Sequence, residues 1–167
     1  MKRLFLSLVI SLLAVTTFAQ LKSIDAKLDY QVGIIGPKGD PGIGAGITYE
    51  LAENFDLVPR FMFYVVDSGK KYTIEADLHY NLTELNDNMY FYPLIGVGLY
   101  HNNWKDDPLP NEKEGKKHNH NKALLNAGAG LGYPMNDSFT LIGELKYQAI
   151  AGEKGGTHLS IGLSYVF

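Results

Sequence analysis

The chain has 167 residues, no cysteine and a formal net charge of -3. That length suits one domain of ordinary size, and without cysteine there is no disulfide framework, thiol chemistry or thiol-linked lipid anchor. The mild acidity, with no clustered basic patch, excludes a nucleic-acid-binding surface, and the near-neutral mean hydropathy is wrong for a helical membrane protein but right for strands whose two faces differ in polarity.

Met1-Lys2-Arg3 is a basic start, followed by an apolar run from Leu4 to Phe18 broken only by Ser7, Ser11, Thr16 and Thr17. Thr17-Phe18-Ala19 then offers small residues around a cleavage site, so that Gln20 begins the mature chain. These are the parts of a bacterial secretory signal peptide spanning residues 1–19. The run falls short of the ~20 apolar residues that a membrane anchor helix needs. No later stretch is continuously apolar enough for such a helix, so a membrane location for residues 20–167 requires strands.

After a short polar lead, Leu28, Tyr30, Val32 and Ile34 alternate with Asp29, Gln31 and Gly33. Period two places successive side chains on opposite faces of a strand. Residues 35–41 are turn formers. The second strand carries Ile43, Ala45, Ile47, Tyr49 and Leu51 against Gly44, Gly46, Thr48 and Glu50. A tight turn at Ala52-Glu53-Asn54 leads to a third, with Phe55, Leu57, Phe61, Phe63 and Val65 against Asp56, Arg60 and Met62. Pro59 removes a ladder donor there, and a bulge is expected. The fourth strand sets Tyr72, Ile74, Ala76, Leu78, Tyr80 and Leu82 against Thr73, Glu75, Asp77, His79 and Asn81.

A polar connection over 83–88 precedes a fifth strand, Met89 to about Tyr100, apolar on both faces and containing Pro93. Residues 101–122 read as one long irregular loop rich in Asn, Asp, Lys, Pro and His. The sixth strand sets Ala123, Leu125, Ala127, Ala129, Leu131 and Tyr133 against Asn126 and three glycines. The seventh, after a turn at 134–138, sets Phe139, Leu141, Leu145 and Tyr147 against Thr140, Glu144, Lys146 and Gln148. A glycine-rich loop at 151–156 leads to Leu159, Ile161, Leu163, Tyr165 and Phe167, alternating with Ser160, Gly162 and Ser164.

Eight strands of this length match what a tilted strand needs to cross a bilayer. Connections at 52–54, 83–88 and 134–138 are short, and those at 35–41, 67–71, 101–122 and 151–156 include the longest, the asymmetry of an outer-membrane barrel. Tyr49, Phe55, Tyr80, Tyr133, Phe139, Tyr165 and Phe167 lie next to the short turns on the apolar face, while Phe63, Tyr72 and Tyr147 lie near the other rim. Two aromatic belts flanking an aliphatic band fit the two membrane interfaces. The reading is all-β: an eight-stranded antiparallel up-and-down transmembrane β-barrel, monomeric, in the bacterial outer membrane and in contact with its lipid. A soluble ligand-binding barrel of lipocalin type is disfavoured because the outward aliphatic faces would aggregate in water.

The whole mature chain resembles the small eight-stranded outer-membrane proteins of the OmpA/OmpX type, porin-like in architecture. The most specific part of the resemblance is the alternating strand Leu159 to Phe167 ending in Phe. It resembles the signal read by the outer-membrane assembly machinery, which the resemblance implies as a partner. Architecture of this kind transfers fold and location rather than activity.

Inward charges are expected at Asp29, Glu50, Arg60, Glu75, Asp77, His79, Glu144 and Lys146. An eight-stranded lumen is only wide enough to be filled by side chains, and buried charges there must pair. Hairpin register sets Arg60 across from Asp77 or His79, as part of a salt-bridged plug; a narrow passive channel is the alternative. Inward glycines either relieve crowding or leave a void. His158 and Ser160, two apart on one face with Glu144 on the neighbouring strand, carry the types of a serine-hydrolase triad. The arrangement resembles outer-membrane lipid A deacylases, which makes a lipid hydrolase the second alternative. In the loop, His118 and His120 offer two imidazoles to a metal, with His101, Asp106, Asp107, Glu112 and Glu114 nearby, though a solvated loop is the plainer reading, and neither a metal nor a cofactor is expected. Trp104 suits a membrane-rim anchor or an adhesion contact. The expected role is structural or surface-interacting (envelope integrity, adhesion or defence), with an extracellular partner met through 101–122.

Overall fold

The computed structural model describes residues 20–32, 40–66, 69–86, 89–105 and 117–167. The signal peptide expected over 1–19 lies outside them. Nine strands are described: β1 (Gln20–Val32), β2 (Asp40–Ala52), β3 (Phe55–Tyr64), β4 (Lys70–Tyr80), β5 (Leu82–Asn86), β6 (Met89–Lys105), β7 (Lys117–Pro134), β8 (Phe139–Ile150) and β9 (Gly156–Val166). They form one antiparallel sheet in the order β4-β3-β2-β1-β9-β8-β7-β6-β5, and a β4–β6 pairing closes it. β5 continues β4 past Asn81: His79 pairs with Leu94 and Leu82 with Phe91, in one register along β6. The wall is therefore an eight-stranded, closed, up-and-down barrel. First and last strands are zipped from Ser23↔Val166 to Val32↔Thr157, which leaves no sheet edge inside the wall.

The alternation decides which way each side chain faces. In β8, Phe139, Leu141, Leu145, Tyr147 and Ala149 are exposed, while Thr140, Ile142, Glu144, Lys146, Gln148 and Ile150 are buried. In β9, Leu159 and Ile161 are 57% and 56% exposed, whereas Ser160 between them is 4% exposed. Apolar outside and polar inside inverts the arrangement of a water-soluble domain. The aromatic belt beside the short turns is continuous in places: Phe55 lies 4.8 Å from Tyr80, and Tyr165 lies 5.4 Å from both Phe139 and Phe167.

Four expectations are corrected. The polar lead is strand, because β1 starts at Gln20 with Ile24 and Ala26 outward and Ser23 and Asp25 inward. The connection at 83–88 is strand as far as Asn86. Residues 101–122 are not one irregular loop: β6 and β7 stay paired from Tyr100↔Lys122 to Lys105↔Lys117. Polar residues on both faces hid this extension, since beyond the membrane neither face has to be apolar. Pro59 sits without a bulge, pairing with Ala76 in the unbroken β3–β4 register. On its other side the β2–β3 ladder skips from Gly46↔Arg60 to Tyr49↔Leu57 in the same register, and the shift falls instead between Glu50 and Ala52, beside the turn. Pro93 is opposite the β4–β5 junction, where the β4–β6 ladder has ended at His79↔Leu94, so its missing donor falls at a gap.

The inward glycines relieve crowding. A Cβ at Gly130 would overlap the Tyr92 ring, at Gly44 the Met62 side chain, and at Gly128 the β8 backbone and Lys146. Each of these glycines gives up its side-chain volume to its neighbours, and the lumen is packed around them.

Candidate functional site

The lumen is the site, and it divides into three levels. The middle level is built where β3, β4, β7 and β8 face one another. Arg60 Nη1 and Nη2 donate to Glu144 Oε2 and Oε1 at 2.7 and 3.2 Å, a bidentate pair. Arg60 Nη1 also lies 3.5 Å from Asp77 Oδ2. Tyr92 donates its hydroxyl to Glu144 Oε1 at 2.9 Å. Beside this pair, Lys146 Nζ donates to Glu75 Oε2, which also accepts from Asn126 Nδ2 at 2.9 Å. Glu75 Oε1 accepts from Gln148 Nε2 at 2.7 Å and from Thr73 Oγ1 at 2.5 Å. Asn126 Nδ2 reaches Asp77 Oδ1 as well, at 2.7 Å, and ties the two ion pairs together. Arg60, Glu75, Asp77, Glu144 and Lys146 are all at most 4% exposed. Buried charges of this kind persist only when paired and hydrogen-bonded.

Above it, toward the long connections, Tyr64 Oη lies 3.3 Å from His158 Nδ1, and Lys71 Nζ donates to Asp40 Oδ2 at 2.8 Å while lying 4.8 Å from the Tyr64 ring centre. Tyr100, Leu124 and Ile150 form an apolar cluster at the same end. Below, toward the short turns, Ser23 and Thr48 donate to the two oxygens of Asp25 at 3.2 and 2.9 Å. Asp56 Oδ2 accepts from Lys22 Nζ at 3.0 Å and Asn81 Nδ2 at 2.7 Å, and the His79 ring stacks on Tyr92 with centres 4.6 Å apart.

The expected charge cluster is thus largely assembled, with two corrections. Arg60 pairs in register with Glu75, not with Asp77 or His79, and its bidentate partner Glu144 comes from across the lumen. Hairpin register describes neighbours along the wall, whereas the lumen is narrow enough for long side chains to meet across it. Glu50 has inward parity but is exposed, because it sits at the short-turn rim beside the β-bulge. The side chain of Asp29 lies outside the described residues.

His158 and Ser160 are 1% and 4% exposed and face the lumen, so neither presents to lipid; Glu144, in register with Ser160, is held by Arg60 and Tyr92. His120 pairs with Asn102, and His118 with Trp104, in the extended hairpin. The side chains of His118 and Trp104 are outside the described residues, as is the segment 106–116. His101 lies within the hairpin base, its ring stacked on Tyr72 at 4.5 Å and its Nδ1 2.5 Å from Asn121 Oδ1. Tyr64, Lys71, Tyr92, Asn126 and Gln148 carry lumen contacts without having been singled out. Inward parity was the only signal of the four neutral ones, and a neutral residue of inward parity looks like filler, while Lys71 fell within the connection read over 67–71.

No protein-family model matches the sequence, and no curated protein matches it. Solved structures do. The N-terminal β-barrel domain of Pseudomonas aeruginosa OprF is 19% identical with a TM-score of 0.62, covering 89% of this chain and 100% of that one. Neisserial surface protein A is 15% identical with a TM-score of 0.66, covering 89% and 99%. Ail, the attachment invasion locus protein of Yersinia pestis, is 18% identical with a TM-score of 0.58, covering 88% and 97%. At such identities the likeness speaks for the fold, and the fold is unambiguous: this chain is a small eight-stranded antiparallel β-barrel, the fold these outer-membrane proteins have.

Proposed function

We propose that the protein is an exported bacterial outer-membrane barrel, delivered by a signal peptide over residues 1–19, whose lumen is a structural plug and whose activity is surface interaction through the β6–β7 hairpin. The observation that carries this reading is a mismatch of strand lengths. β6 and β7 have 17 and 18 residues, whereas about 9–11 suffice to cross a bilayer. β7 pairs with β8 only as far as Leu124↔Ile150, yet it pairs with β6 out to Lys117. Among the described residues, no strand lies along the β8 side of β7 over 117–122, so about 20 Å of strand edge projects past the rim. An exposed edge accepts an extended peptide through main-chain hydrogen bonds, with side chains supplying selectivity. The strand sequence K-H-N-H-N-K is polar and charged, which keeps such an edge from pairing indiscriminately.

The partner is therefore an extracellular polypeptide, and the barrel acts as a monomeric platform embedded in outer-membrane lipid. Assembly would use the closing strand β9, which ends next to Phe167. The test is a variant in which 101–121 are replaced by Asn-Gly, joining the register pair Tyr100↔Lys122 by a tight turn and so removing the projecting edge. Proteoliposomes carrying the unaltered mature chain should retain labelled serum polypeptides that those carrying the variant release. Equal retention by both, or by neither, would overturn the reading.

A further inference from the structure

At the short-turn mouth the lumen holds a cavity of about 40 Å³ lined by Asp25, Asp56, Thr48, His79, Ser164 and Tyr90, among others. It shares Lys22, Asn81, Tyr90 and Val166 with a wider concavity outside, which gives it access from that side. The Arg60–Glu144 pair and the Tyr92 hydroxyl that joins it lie directly above. The two carboxylates are served unequally. Among the described residues, Asp25, 2% exposed, accepts from the hydroxyls of Ser23 and Thr48 and from no cation. Asp56, 4% exposed, uses Oδ2 for Lys22 and Asn81, while its Oδ1 is buried without a hydrogen-bond partner.

Among the described side chains at this mouth, two carboxylates against the Lys22 ammonium leave one negative charge in a desolvated space when His79 is neutral, which is costly unless compensated. The donors facing the cavity are hard oxygens from carboxylates and hydroxyls. No group of three or more acidic or imidazole ligands converges among the described residues, so the six to eight protein oxygens of a calcium cage are not offered. About 10–15 Å³ admits one water, so the cavity takes an ion together with a water or two.

We propose that this mouth binds one hydrated monovalent cation of sodium size between Asp25 and Asp56, entering from the short-turn side and stopped by the Arg60 level. The site neutralises the lower lumen and locks β1, β2 and β3 together. It is independent of the hairpin's role, and of any passage through the barrel.

The experiment follows thermal unfolding of the full chain, folded in phosphatidylcholine vesicles, at constant ionic strength. Sodium chloride is exchanged for N-methylglucamine chloride, whose cation is too large for the cavity. A ligand that binds only the folded state raises the midpoint with its concentration, so sodium should raise it and the bulky cation should not. Asp25→Asn should abolish the dependence. Crystals of the unchanged chain soaked in thallium(I) should show an anomalous peak between Asp25 and Asp56, which keeps the test independent of any variant's folding. Equal midpoints in both salts, a sodium dependence that survives Asp25→Asn, or no thallium peak would each overturn the proposal. So would NMR evidence that His79 is protonated at neutral pH without sodium, since the imidazolium would then supply the missing charge.

Discussion

Arg60 gathers Glu144 and Asp77 around one guanidinium, at 2.7 and 3.5 Å, in a space with no water-facing surface of its own. Removing one member of such a pair strands the other, and this typically costs about 3–5 kcal/mol. Arg60→Met should therefore lower the stability measured by urea unfolding in vesicles by about that amount. Glu144→Gln keeps the shape of the side chain and its contact with Tyr92 while removing the charge. In the double variant the stranded carboxylate is gone, so the combined loss should be smaller than the sum of the single losses by about 0.5–3 kcal/mol. Additive losses would show that the two side chains are neighbours without being partners. The same cycle run with Lys146 and Glu75 would ask whether Asn126, which bonds both Glu75 and Asp77, makes one network of the two pairs.

At the level of elements, each turn has to reverse the chain without leaving donors unpaired. Asn54 does this at the β2–β3 turn with a φ of 66°, and its carbonyl accepts from Asn81 N at 2.8 Å, at the break between β4 and β5. Asparagine tolerates the left-handed region and a β-branched residue does not. Asn54→Ile should destabilise the barrel by roughly 1–2 kcal/mol, with Asn54→Gly close to neutral, both read from the same urea midpoints. An equal cost for both would point to the side chain rather than the backbone. Period two made nearly every strand legible, because lipid demands apolar residues on one face of all of them. It failed where that demand lapses. The start of β1 was masked by Lys22, Asp25 and Lys27 interleaved with Ile24 and Ala26, which reads as a polar lead unless the interior is known to be the polar side. The hairpin beyond Tyr100 and Lys122 was masked because both of its faces are wet. Within the site, parity identified the inward charges but not their partners, since contacts across the lumen join residues as far apart as Arg60 and Glu144, which no hairpin connects.

For the whole molecule, the decisive property is which side of the wall is apolar. Ile43, Ile95, Val97, Leu99, Leu125, Leu145, Leu159 and Ile161 are each more than half exposed on the outer face, while the interior holds, among the described side chains, five carboxylates at Asp25, Asp56, Glu75, Asp77 and Glu144. In water that surface is an aggregation hazard, and in a bilayer it is the solvated side. Ile161, midway along β9 and flanked by its neighbours' outward residues, tests the assignment directly. In a bilayer an arginine near the midplane costs about 2–4 kcal/mol, falling toward zero near the interfaces. Ile161→Arg should therefore destabilise the barrel in vesicles by that amount, while the same change at Tyr165, in the belt beside the short turns, should cost far less. The unboiled protein should also migrate apart from the boiled protein in SDS, because a closed wall with its backbone groups paired resists detergent until heated. A barrel that faces water would show no such order: Ile161→Arg would leave stability unchanged and improve solubility, and depth along the strand would not matter. The depth dependence is thus the discriminating quantity, since it exists only if the aliphatic band is held at a fixed height in a membrane.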